Sequence, residues 1–432
     1  MAAKGPLKGL TAWLIHRLVA NYWSLPLVAI LAAPVIAGLV IWADRTSLGR
    51  WIYDNGLNLL VASDTAQDLA IAVVSLNAAF LTLYWSVTLI VLTLATGNLG
   101  VRLVDRWLDK GLVRLSMAGL TFTLVFSVIV LARLDPEAQV AELPHFALLA
   151  VFGLQLVNIA MLGVAIHDLG RTMFVDRSIS HLGTEGSAIA IPVRGETPHE
   201  GPWAATLSAP REGYIEGVDL EAVGKRLAMH EGHVRFCAAP GQHVLKGEPL
   251  IRFENPPPKD DKLVRAIAIG DYRSGVESTV FQVRLLVEVA ARALSPGIND
   301  FYTAIACADQ IAEAIFGHAE TWVEDGEIAV YAPAPRFELP GQDFRGLFDE
   351  PLNAFRQAAC DYPSVAIRMI DNYARLITLL ADDCPPTFMA HLERLACELC
   401  DHAQGRAQLG MDKDDIAAAL ARVRECRSAQ KC

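Results

Sequence analysis

No Lys, Arg, Asp or Glu interrupts the sequence at positions 24–43, 69–95, 115–132 or 146–166, and each of these stretches is overwhelmingly apolar. About 20 such residues, wound as a helix, span the roughly 30 Å hydrocarbon core of a bilayer. A buried helix of a soluble protein can imitate one such run, but not four in succession. The sequence therefore predicts four transmembrane helices in residues 24–166, followed by a large soluble region. Pro34 predicts a kink in the first span.

The short loops set the orientation, because Lys and Arg collect on the cytoplasmic side. Lys4, Lys8 and Arg17 precede the first span, and Arg102, Arg106, Lys110 and Arg114 lie between the second and third. The other two loops carry Arg45 and Arg50, then Arg133 alone. This asymmetry places the N-terminus, the 96–114 loop and everything after position 166 on the cytoplasmic face. All eight cysteines, beginning at Cys237, fall in the later half at irregular spacings, the pattern of free thiols in a reducing compartment. Residues 1–23 lack the apolar core of a cleavable signal. Leu10, Trp13, Leu14 and Leu18 share one face there and predict an interfacial amphipathic helix.

Charge separates the two halves. Residues 1–165 hold 10 Lys and Arg against 9 Asp and Glu, so the whole-chain totals of 37 and 48 leave the remainder with 27 against 39, a net −12. So acidic a region is a poor partner for nucleic acid, whose phosphates require basic side chains. The bilayer is the expected partner.

Polar residues inside a span are costly and mark either packing or function. Ser75, Thr82, Ser86 and Thr93 recur at spacings of 7, 4 and 7, which puts them on one face of the second span. Ser116, Thr123 and Ser127 repeat the spacing in the third, and Gln155 and Asn158 sit within the fourth. Asn77 lies in the second span as well. Small hydroxyl residues let helices approach closely, and they can also line a polar pathway. Both readings stand on the sequence alone.

Beyond the spans, residues 167–182 read as a connecting helix. Residues 183–254 read as a small β-domain, with short apolar stretches at 188–193, 213–218, 234–237 and 249–253. Within it, Gly213-Tyr214-Ile215, Pro240-Gly241-Gln242-His243-Val244 and Gly247-Glu248-Pro249-Leu250 resemble the barrel-sandwich fold of biotinyl and lipoyl domains. Such domains carry their cofactor on a Lys in a Met-Lys-Met hairpin; this chain has none, so Lys246 is expected to stay unmodified and no cofactor is expected. Residues 255–262 form a Pro-rich linker, and residues 263–432 an α-helical domain.

In that domain, Pro296 ends one helix, Gly297 supplies a left-handed turn, and Asn299 or Asp300 caps the next. Arg284, Glu288 and Arg292 stand at i, i+4 and i+8, as a solvated ion-pair ladder would. The competing reading is a corner for a small anionic ligand, built from Arg284, Arg292, Ser295, Gly297, Asn299 and Asp300. His230, His233 and His243, and separately Cys397, Cys400 and His402, are metal-type residues lacking a second pair at zinc-site spacing, so no metal is expected. No nucleotide loop, nucleophile elbow or catalytic constellation occurs, and an enzyme ranks last.

The run from Ala290 through Leu294, Ser295, Pro296, Gly297, Ile298 and Asn299 to Asp300 closely resembles the signature of a bacterial membrane-protein family, domain of unknown function 2254. The likeness extends through Ile269-Gly270-Asp271-Tyr272-Arg273, Gln282-Val283-Arg284-Leu285-Leu286-Val287, the Gly213 strand, the 102–114 loop and the segment around His167. Where the family usually has Pro after the signature this chain has Phe301, and where it has a His pair this chain has His167-Asp168. The resemblance implies a multi-pass protein of the bacterial inner membrane and assigns no activity. Two expectations for function follow: an oligomeric channel or transport-type protein regulated by its cytoplasmic domain, or a membrane-anchored ligand-binding or scaffold module.

Overall fold

The computed structural model describes residues 24–57, 63–99, 111–135, 137–172, 175–188, 191–257, 263, 266–270 and 279–429. The expected N-terminal interfacial helix, the centre of the 102–114 loop and most of the Pro-rich linker lie outside them. The chain divides into two compact units, one spanning Leu14–Phe174 and the other including Val175–Cys432.

The first unit holds four helices long and apolar enough to cross a membrane. They are α1 (Ser24–Asp44), α3 (Ser63–Leu99), α4 (Gly111–Leu131) and α5 (His145–Thr172), with a short α2 (Ser47–Asp54) between the first two. At 1.5 Å per residue, the 37 residues of α3 reach about 55 Å, well past the hydrocarbon core. Polar Asp64, Gln67 and Asp68 extend its first turns beyond the apolar run. On α1 the buried residues are Ala29, Ala33 and Ala37, one every fourth position. Without side-chain bulk on that stripe the backbone comes close to α4, which suits association in lipid, where van der Waals contact replaces the hydrophobic effect. Gly119 does the same between α4 and α5: a Cβ there would lie 2.7 Å from Met161 Cε. Leu31, Val35, Leu39, Leu89, Ile90 and Val157 face outward, as a lipid-facing surface requires.

Helix α2 occupies what reads in the sequence as a plain loop. Ile52 is buried while Trp51 and Tyr53 are exposed, and Tyr53 stacks on His145 with ring centroids 5.4 Å apart. Amphipathic aromatic rings of this kind favour the headgroup level. At the same end, the Asp44 carboxylate accepts the N–H groups of Phe146 and Ala147, both at 2.8 Å, and so caps α5 from the end of α1.

The second unit opens with α6 (Val175–Gly186), which packs on α8 (Thr279–Ala293) and α9 (Phe301–Gly317). Its β elements are β1 (Val193–Glu196), β2 (Ala205–Ser208), β3 (Gly213–Val218), β4 (Val234–Phe236), β5 (His243–Val244), β6 (Pro249–Phe253), β7 (Ile267–Gly270), β8 (Ile328–Tyr331) and β9 (Phe337–Glu338). A short α7 (Leu220–Arg226) follows β3, capped by Asp219, whose carboxylate accepts the Ala222 N–H at 2.8 Å. One sheet runs β1-β8-β9-β4-β6-β2 and the other β5-β3-β7; all pairs are antiparallel except β4–β9. Both sheets contribute to one core, in which Ile215 and Ile269 of the smaller meet Phe236, Ile251, Phe253 and Phe337 of the larger.

The reading of residues 263–432 as all-helical needs correcting, because β7, β8 and β9 belong to the sheets. Ile328-Ala329-Val330-Tyr331 carries the β-branched and aromatic residues of a strand, with Gly326 at φ +93° before it. The longer elements described in that region are helices: α10 (Phe344–Ala359), α11 (Pro363–Leu379), α12 (Pro386–Arg406) and α13 (Gly410–Ala429) follow α8 and α9.

Candidate functional site

In the membrane unit the two hydroxyl stripes take opposite sides. Ser75, Thr82, Ser86 and Thr93 of α3 are exposed on the surface of the single copy. Three of them satisfy themselves, donating to the carbonyls of Ala78, Thr82 and Leu89 at 2.8–2.9 Å. Ser116, Thr123 and Ser127 of α4 are turned inward and fully buried. Ser116 donates to the Leu112 carbonyl at 2.8 Å, while the hydroxyls of Thr123 and Ser127 have no partner.

The interior is polar around three amides. Asn77 Nδ2 donates to Gln155 Oε1 at 2.6 Å and to the Val73 carbonyl at 2.9 Å. Asn158 Nδ2 donates to Asn77 Oδ1 at 3.2 Å and to the Gly119 carbonyl at 3.5 Å. These contacts tie α3, α4 and α5 together. Asn77, Gln155 and Asn158 are 0, 4 and 2% exposed, so among the described residues they are closed off from water in a single copy. The inward face of α3 also carries Tyr84 and Thr88, at successive steps of 7 and 4 after Asn77. Those steps repeat the first two of the outward stripe.

In the helical region, the α8–α9 corner is held by its own backbone. The N–H groups of Ile298 and Asn299 donate to the Ser295 carbonyl, and that of Asp300 to the Ala293 carbonyl at 2.7 Å. The left-handed residue is Asn299, at φ +51°, and not Gly297 as its type suggests. Asn tolerates this region better than other residues with a Cβ. Asp300 is the cap, accepting the Thr303 N–H at 3.1 Å and the Thr303 hydroxyl at 2.6 Å. Arg284 pairs with Glu350 of α10 at 2.6 Å, and Arg292 contacts Glu288 at 3.5 Å. Eight residues separate the two arginines, about 12 Å along the helix. Each guanidinium therefore already meets a carboxylate of the protein.

The histidine trio of the β region is dispersed. His243 is exposed beside Tyr214, and His230 sits edge-on to Phe253 at 5.8 Å. Burial and nearby Arg336 hold His230 below its usual pKa. His233 meets a residue that sequence spacing did not single out: its ring stacks on His199, with centroids 4.9 Å apart and planes 21° from parallel. Together with Glu254 these are a set of metal-type donors whose ligand atoms all lie within 4.8 Å of one another. The His233 N–H donates to Glu254 Oε2 at 2.7 Å, and this bond is the main cause that holds the Glu254 carboxyl below its ordinary range. Beneath them Glu338, 1% exposed, accepts the His199 N–H at 2.7 Å and pairs with Arg235. The Arg235 guanidinium lies over the Trp203 ring at 5.0 Å. In α12, Cys397 and Cys400 are free thiols, and the Cys400 Sγ faces the Ile416 carbonyl at 4.0 Å.

Residues 20–375 match the family of predicted membrane proteins DUF2254. An uncharacterized protein of Mycobacterium bovis is 25% identical over 310 residues, covering 65% of this chain and 60% of its own length. An uncharacterized protein of Mycobacterium tuberculosis aligns with the same identity and coverage. The chain thus spans about 60% of the curated relatives it matches. No solved structure matches it. With the family matched across most of the sequence and four membrane-length helices in the fold, the chain belongs to the DUF2254 family of predicted membrane proteins.

Proposed function

We propose that this protein is a membrane-anchored binding module, in which the four helices anchor and associate while ligand recognition resides in the second unit. The observation that supports it is the burial of Asn77, Thr123, Ser127, Gln155 and Asn158, which among the described residues keeps these polar side chains from the water-accessible surface of one copy. A conducting path would need those side chains to be accessible. Proteoliposomes holding the purified chain should show no ion or small-solute flux above protein-free vesicles. A flux that Asn77→Ala enlarges or abolishes would overturn the reading.

A second reading, an oligomeric channel, is favoured by one observation. The outward stripe of Ser75, Thr82, Ser86 and Thr93 lies where another copy could face it. Cysteines placed at Thr82 and Ser86 would then cross-link between copies, and flux would depend on them. The Lys/Arg asymmetry of the loops supports an inner-membrane protein with both termini cytoplasmic. The two-sheet core supports a barrel-sandwich-type fold without carrier chemistry. Mass spectrometry should accordingly find Lys246 unmodified.

A further inference from the structure

We propose that His199, His233 and Glu254 form a binding site for a first-row divalent cation of the zinc type. The inference goes beyond the anchoring reading and can fail separately from it, since a cation can bind whether or not the helices conduct.

The donor set is the first ground. Two imidazoles, which are borderline donors, with one harder carboxylate make a ligand set that suits zinc and its neighbours, and three protein ligands leave a coordination position for water. Their ligand atoms already lie within 4.8 Å of one another. Tetrahedral zinc with bonds near 2.0–2.1 Å places its ligand atoms about 3.3 Å apart, so each side chain need move by only about 1 Å.

Unsatisfied nitrogens are the second ground. His199 Nε2 and His233 Nδ1 are both buried without a hydrogen-bond partner. The nearest carboxylate to the latter, Glu338, is 4.0 Å away, beyond hydrogen-bond range. A buried ring nitrogen left unpaired costs free energy, and a metal bond would remove that cost.

The surroundings are the third. Gly201 clears the space against one ring, because a Cβ there would lie 2.7 Å from His199 Cε1 and Nε2. Gly232, at φ +100°, clears it against the carboxylate, where a Cβ would lie 2.9 Å from Glu254 Oε2. Glu338 fixes the His199 backbone and neutralises Arg235, the cation beside the site. Supports of this kind orient metal ligands in outer shells.

The test uses the full-length chain in detergent, purified with a histidine-free tag and titrated with Zn²⁺ by calorimetry and metal analysis. One Zn²⁺ per chain is expected. His199→Ala, His233→Ala and Glu254→Gln should each abolish stoichiometric binding, while Cys397→Ser and His243→Gln should leave it intact. Gln at 254 keeps an oxygen to accept the His233 N–H, so that variant should fold. Gly201→Ala should weaken binding, because the added Cβ would crowd the His199 ring at 2.7 Å and push it from its place. X-ray absorption at the zinc edge of the wild type should show nitrogen and oxygen neighbours only. Absence of stoichiometric binding, binding that survives the three ligand substitutions, or a sulfur shell from the thiols would each overturn the proposal.

Discussion

Replacing Asn77 by Leu removes the central member of the amide network in the membrane unit. Asn77 makes two contacts to other side chains, at 2.6 Å with Gln155 and 3.2 Å with Asn158. Interhelical hydrogen bonds in membranes average about 0.6 kcal/mol and reach about 1.7, so losing two should cost about 1–3 kcal/mol. The cost has a second source. Gln155 already has an unpartnered Nε2, and after the substitution its Oε1 would also lose its donor. Stranded buried polar groups account for more of such penalties than the bonds themselves. Replacing Asn77, Gln155 and Asn158 together by Leu should therefore recover most of the loss. Equilibrium unfolding in mixed micelles at rising SDS fraction, followed by Trp fluorescence, measures both, and a double-mutant cycle between positions 77 and 155 isolates their coupling. A coupling below about 0.3 kcal/mol would refute the reasoning, because it would mean that the 2.6 Å contact contributes nothing net. A triple variant less stable than Asn77→Leu would refute the second half, since apolar packing would then fail to substitute for the network.

Four further outcomes follow from the same geometry. Burial pushes Asp309 up, but hydrogen bonds from Arg368 and Asn372 outweigh it and hold its carboxyl below the usual range. Its stabilising contribution is thus present above the unfolded value near 4 and lost as pH falls through the folded one, so Arg368→Ala should cost about 1 kcal/mol at neutral pH and progressively less in acid, by thermal unfolding. Asp300→Ala should cost about 0.5–2 kcal/mol as a lost cap, while Asn299→Gly is tolerated and Asn299→Val, forced to φ +51°, is destabilised by about 1–3 kcal/mol. Gly346→Ala should destabilise α10 despite a propensity gain of at most about 1 kcal/mol, because its Cβ would lie 2.3 Å from the Gly341 carbonyl and overpacking costs about 1–3 kcal/mol. A periplasm-dependent reporter fused after Cys432 should be inactive and one at Pro136 active; the reverse pattern would overturn the loop-charge argument.

What the sequence disclosed, and what it hid, follows from the range of each interaction. The four spans were legible because a bilayer tolerates no charge in an exposed helix, and that constraint acts on every residue of a run. Helix ends were less so: Asp64, Gln67 and Asp68 are polar yet helical, since beyond the hydrocarbon nothing forbids them. Helix α2 was hidden because Arg50 and Asp54 made its eight residues read as a loop. Periodicity named two hydroxyl faces but could not say which way either turned, because that depends on where neighbouring helices pack. Ala29, Ala33 and Ala37 on α1 and Gly119 on α4 decide how closely the neighbours come, and with that which faces close into the interior.

The His199–His233 pair was hidden for a different reason. Spacing reveals ligands only when they share one helix or one turn, as His230 and His233 do. His199 lies 34 positions before its partner and reaches it through the sheet. Glu338, on β9, pairs with Arg235 of β4 and accepts the His199 N–H. The strand that brings Glu338 there comes from residues 337–338, inside the stretch that reads as helical.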